Sequence, residues 1–253
     1  MPGAVERITA SNPGPMTLAG TNTYVVGRNP AYVIDPGPAD EGHIEAVRRA
    51  GDERGGIEGV LLTHSHADHS AGVPLLGAPL LWGKVSEMDE TGMPSAAAAA
   101  DPPAEVGPFQ AIATPGHARD HVAFVHNGVC FCGDLILGEG SSIVPPAQWG
   151  GSLGDYMASL ERLAGLDVDA LAPGHGPWID DPRAKIAEYL DHRRERDAKL
   201  VAAIEGGERS RAGLLEAAWG DVPSPMRPMA ALAMQAHLEK LEAAGRLPAD
   251  LTD

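Results

Sequence analysis

Four side chains suited to binding metal ions lie within six residues of one another. Residues 63–69 read Thr-His-Ser-His-Ala-Asp-His, which places His64, His66, Asp68 and His69 in one short stretch. The apolar residues 60–63, directly before it, predict a buried strand. Imidazole and carboxylate groups are zinc ligands, and a loop that leaves a strand can direct alternating side chains toward one point. A chance polar turn explains the stretch poorly, because histidine is an uncommon residue.

Three further ligand-type residues follow predicted strands at similar positions. Each lies within three residues of a strand end and has a glycine nearby: His117 after residues 110–114, Asp134 after 129–132, and His175 after 169–172. A sheet edge holds side chains on a rigid scaffold, so residues at several strand ends can share one site. One such coincidence would mean little, but four strand ends with ligand-type residues predict a common metal site.

Strands and helices that would position these residues are predicted along the chain. Before residue 180, apolar runs predict strands at residues 23–27, 31–35, 75–82 and 122–125, and helices at residues 41–50 and 153–164. After residue 182 the pattern predicts only helices, at residues 183–204, 211–219 and 229–244. We therefore expect a catalytic domain at residues 1–180 and a small helical domain at residues 181–253. Residues 84–103, with an alanine run and three prolines, predict a mobile insertion or lid.

The composition narrows the classes of function. With 253 residues and 43% apolar side chains the chain can bury a sizeable core, and the 4% aromatic content predicts that this core is mostly aliphatic. The net charge of −16 disfavours nucleic acid and anionic membranes as partners, because phosphate binding depends on clustered lysine and arginine. Residues 1–20 are typical of neither a secretory signal nor a membrane anchor. Cys130 and Cys132, two apart in one strand, predict unpaired core residues in a reducing cytoplasm.

The arrangement His-x-His-x-Asp-His, followed by a histidine, an aspartate and a final histidine, resembles the signature of the metallo-β-lactamase superfamily. The resemblance covers about residues 15–180 and implies an α+β fold, a four-layer αβ/βα sandwich with metal ions at one edge of its sheets. It also implies how the ligands are shared: His64, His66 and His117 for one metal ion, Asp68, His69 and His175 for the other, and Asp134 bridging both. Since all seven positions are filled, the resemblance implies two zinc ions; manganese or iron suits the same ligands.

The resemblance implies a metallohydrolase. Two cations about 3.5–4 Å apart can hold a hydroxide at neutral pH and stabilise the oxyanion that forms when it attacks a carbonyl. The pKa of the bound water falls to about 7, so no separate strong base is needed. We hypothesise that Asp68 is also a catalytic residue, which orients this hydroxide and passes on its proton.

A narrower resemblance, to the β-lactamase-like protein 2 group, covers nearly the whole chain. It rests on residues 13–24, 133–140, 173–177 and 185–196, and it implies a winged-helix-like tail whose wing strands are short or missing here. The group is linked to cleavage of single-stranded RNA and to hydrolysis of carrier-protein thioesters. The acidic charge favours a small-molecule, acyl-thioester or ester substrate over RNA. Weak β-lactam hydrolysis, a binding-module role for the tail, and a homodimer formed through the tail or residues 84–103 are the remaining alternatives.

Other polar and aromatic residues are expected to have structural roles. Asp35 is expected to support a ligand by a hydrogen bond, and His121 either does the same or opens a strand. Four further histidines are expected on helix or turn surfaces, and three aromatic residues are expected in the core: His43, His126, His192 and His237, and Trp82, Trp149 and Tyr156.

Overall fold

The computed structural model describes residues 5–86 and 101–252, which form two five-stranded β-sheets with helices packed on them. The first sheet holds, in chain order, β1 (Val5–Thr9), β2 (Asn22–Gly27), β3 (Ala31–Ile34), β4 (Ile57–Leu61) and β5 (Leu80–Trp82). The second holds β6 (Glu105–Val106), β7 (Phe109–Ala113), β8 (Val122–His126), β9 (Val129–Gly133) and β10 (Ala170–Pro173), with β10 beside β9. The strands β3, β4 and β5 are parallel, as are β9 and β10, and the other neighbours are antiparallel.

The described residues also form seven α-helices: α1 (Glu41–Asp52), α2 (Ala67–Ser70), α3 (Val73–Leu76), α4 (Leu153–Ala164), α5 (Pro182–Glu205), α6 (Arg211–Trp219) and α7 (Arg227–Ala243). Local sequence explains where three of the long helices begin. Asp40, Ser152 and Asp181 precede α1, α4 and α5, and each side chain accepts a hydrogen bond from a backbone N–H of the first turn. The five predicted helices are confirmed, and their ends move by at most two residues.

Three groups of buried side chains hold the layers together. Between the sheets, the ring centroid of Phe109 lies 6.3 Å from that of Phe124 and 6.1 Å from that of Phe131, and Tyr24 packs beside them. Helices α1 and α3 cover the outer face of the first sheet with aliphatic residues, and α4 and α5 cover that of the second. The order helix, sheet, sheet, helix confirms the predicted α+β sandwich.

The turn between β8 and β9 shows how local sequence sets the pairing of strands. Asn127 and Gly128 have φ angles of 49° and 76°, a left-handed conformation that asparagine and glycine adopt at low cost. Two successive residues with positive φ form the tight turn that suits the twist of a hairpin. The hairpin fixes the position of β9, which Asp134 directly follows.

One predicted strand, at residues 75–82, is partly wrong. The chain forms the short helix α3 as far as Leu76, turns at Gly77 with a φ of 72°, and enters β5 only at Leu80. Pro74 lies in the first turn of α3, where a missing N–H costs nothing, and Gly77 ends the helix. A short apolar run alone does not distinguish these outcomes. Most of the predicted insertion, residues 87–100, lies outside the described residues.

The three C-terminal helices are attached to the sandwich through α5. Ile186, Tyr189 and Leu190 of α5 and Ala236 of α7 belong to the core beneath the second sheet. Leu200 and later apolar residues form a separate core among α5, α6 and α7. No strand follows β10 in the part of the chain up to residue 252, so the winged-helix-like character of this tail stays a prediction.

Cys130 and Cys132 are both buried and unpaired, and both pack into the core between the second sheet and α4. The prediction that they are core residues is confirmed.

Within residues 5–86 and 101–252, no helix combines the length and apolar character needed to cross a bilayer.

Candidate metal centre

The seven predicted ligands come together where the strand ends of both sheets meet. Each follows a strand: His64 and His66 between β4 and α2, Asp68 and His69 within α2, His117 between β7 and β8, Asp134 after β9, and His175 after β10. Their ligand atoms fall into a first group, from His64, His66 and His117, and a second group, from Asp68, His69 and His175, and within each group the atoms lie within 4.8 Å of one another. His64, His69 and Asp134 meet the same limit and connect the two groups. The structure brings together every predicted ligand, and their binding of metal ions is still a prediction.

The first group consists of three imidazole rings. His66 Nδ1 lies 2.9 Å from His64 Nε2 and 3.1 Å from His117 Nε2. On its other side, His117 Nδ1 donates to the carbonyl oxygen of Ile143 at 2.8 Å. Since a carbonyl oxygen only accepts, the proton of neutral His117 is on Nδ1 and its Nε2 presents a lone pair to the site. With His66 Nδ1 also unprotonated, the three nitrogens would direct their lone pairs at one point, which a cation could occupy.

The second group combines imidazole and carboxylate. His175 Nε2 lies 3.3 Å from His69 Nε2 and 3.3 Å from Asp68 Oδ2. Asp134 stands between this group and the first, with its Oδ2 3.4 Å from His175 Nε2 and 3.7 Å from His117 Nε2. A single carboxylate is therefore within reach of both groups.

Asp35, at the end of β3, holds the second group in place. Its Oδ1 accepts a hydrogen bond from Thr63 N at 2.7 Å, and its Oδ2 accepts from Thr63 Oγ1 at 2.7 Å and from His69 Nδ1 at 3.0 Å. The bond to Nδ1 turns His69 Nε2 toward the other ligands. The predicted supporting role of Asp35 is confirmed, and the carbonyl of Gly20 does the same for His175 Nδ1 at 3.2 Å.

The residues of the site fit a divalent cation. Asp134 Oδ1 is buried and has no hydrogen-bond partner in the described part of the chain, an arrangement that is costly unless a cation or another partner satisfies the oxygen. A Cβ atom at Gly174 would lie 2.4 Å from this oxygen and 2.6 Å from His69 Cε1. The glycine before His175 therefore keeps open the space in which these groups converge.

The two groups have different electrostatics in the absence of metal. Burial, assisted by a neighbouring imidazole, lowers the pKa of His66 to about 3. Burial also lowers the pKa of His175, but the carboxylates of Asp134 and Asp68 outweigh it and raise that pKa to about 9. Burial raises the pKa of Asp68, but His69 and a hydrogen bond from His175 outweigh it and lower that pKa to about 2. His66 of the first group is thus neutral at pH 7, whereas His175 of the second group holds a proton that a bound cation would replace.

Two overlapping segments of the chain, residues 16–99 and 94–175, match the family model described as the metallo-beta-lactamase superfamily. Together they span more than half of the 253 residues. The chain belongs to the metallo-β-lactamase superfamily. It has the metallo-β-lactamase fold, and this fold together with the His/Asp groups implies a divalent metal ion.

Relatives with lactamase-like and thioesterase names are similar over most of the chain. The lactamase-like protein adaB of Aspergillus niger is 39% identical, over 82% of this chain and 65% of its own length. The beta-lactamase-like protein 2 homolog of Drosophila melanogaster is 32% identical, over 96% of this chain and 89% of that protein. The atrochrysone carboxyl ACP thioesterase of Aspergillus fumigatus is 32% identical, over 98% and 76%. The narrower resemblance to the β-lactamase-like protein 2 group is thereby confirmed.

A solved structure has the same fold over nearly the whole chain. A metallo-beta-lactamase family protein from Thermus thermophilus superposes with a TM-score of 0.71 at 22% identity, over 97% of this chain and 95% of that one. At this identity the likeness concerns the fold alone. Because it covers 97% of the chain, it extends past the metallo-β-lactamase sandwich into the C-terminal helices.

His121 lies behind the metal centre. It is 1% exposed, its Nδ1 lies 2.8 Å from Thr114 Oγ1, and its ring centroid lies 5.2 Å from that of His64. Both roles predicted for it agree with this position, because His121 directly precedes β8 and also supports a ligand. The support comes from packing against the His64 ring, because His121 forms no hydrogen bond to a ligand among the described residues.

Two histidines predicted on helix surfaces are buried, so their surface placement is wrong, whereas their hydrogen bonds agree with the structural role that was expected. His43 is 6% exposed and lies 2.8 Å from Thr23 Oγ1, and His237 is 1% exposed and lies 2.5 Å from Asp197 Oδ1. Neighbouring elements cover these helix faces, which the spacing of residues within one helix does not reveal. His192, predicted on a surface as well, is half-buried and lines a pocket beside the metal centre.

An open cleft of about 260 Å³ lies over the ligands and includes His66 and Asp68 in its lining. Trp149, predicted in the core, is 41% exposed and lines this cleft. It ends a short helical turn, Ala147–Trp149, that Gly150 closes with a φ of 85°, which keeps the ring at the surface. Tyr156 is buried as predicted. Met229 also lines the cleft, and no pattern around it in the sequence indicated this role.

Proposed function

We propose that this protein is a hydrolase that uses two divalent metal ions, zinc in the first instance, to cleave an acyl thioester, an ester or a related small molecule. The observation that carries the proposal is the set of inward-facing ligand atoms in two groups of three, with Asp134 within reach of both. Three protein ligands are typical of catalytic zinc sites, which keep one position for water. Manganese or iron would suit the same ligands.

Bound ions would lower the pKa of water and polarise the carbonyl group of the substrate. The chain's own contribution is to hold the ligands rigidly and to offer one accessible carboxylate. The Asp68 side chain is 31% exposed and lines the cleft, whereas that of Asp134 is 10% exposed. We therefore propose Asp68 as the catalytic residue that orients the attacking water and accepts its proton. The ions would be held by His64, His66 and His117, by Asp68, His69 and His175, and by Asp134 between them.

The substitution Asp68→Asn tests this role because it keeps the size of the side chain and removes its charge. We expect kcat to fall about 10²- to 10⁴-fold, the usual contribution of a positioned acid or base. Metal content per chain is measured on the same sample, and Asp52→Asn, on the exposed side of α1, is the matched control. Unimpaired turnover with both ions retained would contradict the proposed role.

Two observations favour an acyl thioester over RNA. One relative, at 32% identity over 98% of this chain, is named an ACP thioesterase. Two arginines near the metal centre are engaged within the protein, since Arg193 donates to the Ser142 carbonyl and Arg196 pairs with Asp221 at 2.6 Å. With a net charge of −16 there is little unpaired positive charge to follow an RNA backbone.

The substrate is the partner that we propose, without nucleic acid or membrane. We also propose a cytoplasmic location, which the unpaired thiols of Cys130 and Cys132 suit. Sedimentation velocity will distinguish a monomer from the homodimer considered as an alternative.

The decisive experiment combines metal analysis with a substrate panel. The metal-loaded protein is assayed on an acyl thioester, a nitrophenyl ester, a β-lactam and a short single-stranded RNA. We expect two metal ions per chain and turnover of the thioester or ester. His66→Ala should lose the two-ion stoichiometry and the turnover, whereas His126→Ala, at the far end of β8, should keep them. RNA cleavage with the same dependence would support the endoribonuclease alternative instead. Absence of bound metal under zinc-replete conditions would overturn the proposal.

A further inference from the structure

A second pocket, of about 240 Å³, leads from the metal centre to the C-terminal helices. Its lining includes His117 and Asp134 of the metal centre and Trp219, Met226 and Ala233 from the C-terminal part of the chain. Small-molecule pockets that hold a whole ligand usually measure roughly 300–1,000 Å³. This pocket is therefore of a size to hold one part of a substrate whose reacting group lies at the metal centre.

The far wall of this pocket consists of apolar residues from two helices. Met229, Ala230 and Ala233 lie on one face of α7, and Trp219 ends α6. Ala230, Ala233 and Trp219 are each less than 10% exposed. At the two alanine positions the short side chains leave the pocket its depth, and a larger residue there would fill it.

Two arginines of α5 also line this pocket. Arg196 pairs with Asp221 at 2.6 Å, and its guanidinium lies 5.6 Å from the ring centre of Trp219. Arg193 donates to a backbone carbonyl and lies 5.1 Å from the ring centre of Tyr156. Asp221 thus balances the charge of Arg196, whereas Arg193 has no carboxylate partner and its buried Nε has no hydrogen-bond partner among the described residues. Most of the other lining residues are apolar, so an uncharged apolar group suits the pocket best.

We propose that this pocket binds the apolar acyl chain of the substrate, and that α7 sets the length of chain the enzyme accepts. The inference rests on the proposed thioester or ester hydrolysis, because it places the carbonyl at the metal centre and the chain beyond His117 and Asp134. Each methylene group that becomes buried then raises kcat/KM roughly fourfold. The increase stops when the chain reaches the wall formed by Ala230 and Ala233.

The first test measures the dependence of kcat/KM on chain length, using S-acyl N-acetylcysteamine thioesters from acetyl to decanoyl. We expect a rise over several carbon atoms and then a plateau or fall. In Ala233→Leu we expect the octanoyl-to-acetyl ratio of kcat/KM to drop at least tenfold, mainly through KM. The matched control is Ala243→Leu, an exposed alanine on the same helix, which should leave the ratio unchanged. Met229→Ala widens the pocket and should move the optimum of kcat/KM to longer acyl chains. This variant replaces Ala233→Leu in the test if Ala233→Leu does not fold.

A second test separates the pocket from the chemistry. The thioether S-octyl N-acetylcysteamine cannot be hydrolysed, and its binding is followed by the fluorescence of Trp219, with Trp219→Phe identifying the signal. We expect the S-octyl compound to bind at least tenfold more tightly than the S-methyl compound, and Ala233→Leu to weaken the binding of the octyl compound. This result supports the pocket even if no thioester is hydrolysed. In that case only the proposed function fails. Equal affinities for the octyl and methyl thioethers, or turnover independent of chain length, would overturn the inference.

Discussion

At the scale of single residues, the orientation of imidazole rings decides what the site can hold. His117 and His175 each direct Nδ1 at a backbone carbonyl, and His69 directs Nδ1 at Asp35. These outward bonds turn the other ring nitrogens toward the centre, where they become lone-pair donors once the rings are neutral. The hydrogen-bond acceptors around the rings are therefore as important for metal binding as the ligands themselves.

Asp35→Asn should weaken metal binding about 10- to 100-fold. Three donors share the two oxygens of Asp35, and the amide nitrogen of asparagine cannot accept any of them. Metal affinity is measured by competition with a chelator of known affinity. The matched control is Asp52→Asn on the exposed side of α1, which should bind metal as the wild type does. An affinity unchanged in Asp35→Asn would show that the His69 ring is held by other contacts.

Metal binding at pH 7 should release protons and strengthen as the pH rises toward 9. In the metal-free protein, the pKa of His175 is raised from 6.5 to about 9, so this ring is protonated at pH 7 and must lose its proton to become a ligand. Calorimetry in two buffers with different ionisation enthalpies measures the protons released. A heat of binding that is independent of the buffer would contradict this prediction.

The same shift gives the metal-free protein a characteristic dependence of stability on pH. Because the pKa of His175 in the folded protein lies above its unfolded value, its contribution to stability is complete below about pH 6.5 and is lost as the pH rises through 9. The Tm of the metal-free protein should therefore fall between about pH 7 and pH 9.5. The metal-loaded protein, in which His175 carries no proton, is the control and should not show this loss.

At the scale of secondary structure elements, helices α4 and α5 fix the loop that follows Asp134. The hydroxyl of Tyr156 donates to the carbonyl of Leu135 at 2.5 Å, and the hydroxyl of Tyr189 accepts from Leu137 N at 2.9 Å. Both tyrosines are buried, and both helices pack on the second sheet. The helices thus determine the path of a loop that begins at a ligand.

Tyr189→Phe should lower the free energy of unfolding by about 1–3 kcal/mol, because it leaves the buried Leu137 N–H without its partner. Urea unfolding of the metal-loaded protein measures the loss. Tyr32→Phe is the matched control, since the Tyr32 hydroxyl takes part in no hydrogen bond within the described residues. Equal stability of the two variants would show that the loop after Asp134 does not depend on the Tyr189 hydroxyl.

At the scale of the whole molecule, α5 connects two cores. Its first half supplies Ile186 and Leu190 to the core under the second sheet, and its second half supplies Leu200 and Ile204 to the core of the C-terminal helices. A deletion that begins at Pro182 would therefore remove side chains from the sandwich itself. The role of the tail is better tested by substitutions than by truncation, and the predicted boundary at residue 180 stays a prediction.

Single-stranded RNA should bind weakly at most, because the net charge of −16 repels phosphate. Fluorescence anisotropy with a labelled oligonucleotide should show no binding tighter than about 10⁻⁶ M at physiological salt, the range of non-specific association. A tight affinity that falls steeply with added salt would reveal a basic track and favour the ribonuclease alternative.

Most of the helices and the positions of the candidate ligands could be predicted, whereas contacts between distant segments could not. Asp40, Ser152 and Asp181 are helix-capping residues whose effect is local, so the starts of α1, α4 and α5 follow from a few neighbouring residues. The burial of His43 and His237 depends on elements far along the chain. The apolar run before Gly77 suits a strand or a helix, and only its surroundings select α3.

The sequence by itself determined which groups can bind metal and that they follow strand ends, because residue type and local hydrophobic pattern are properties of short segments. The tertiary structure decided the distances at which these groups converge, with Asp134 Oδ2 3.4 Å from His175 Nε2 and 3.7 Å from His117 Nε2, because these distances depend on how the two sheets pack. It also decided that residues of α6 and α7, more than 80 positions beyond Asp134, form the wall of a pocket at the metal centre. A pocket is made of side chains from distant segments, and no local pattern records their meeting.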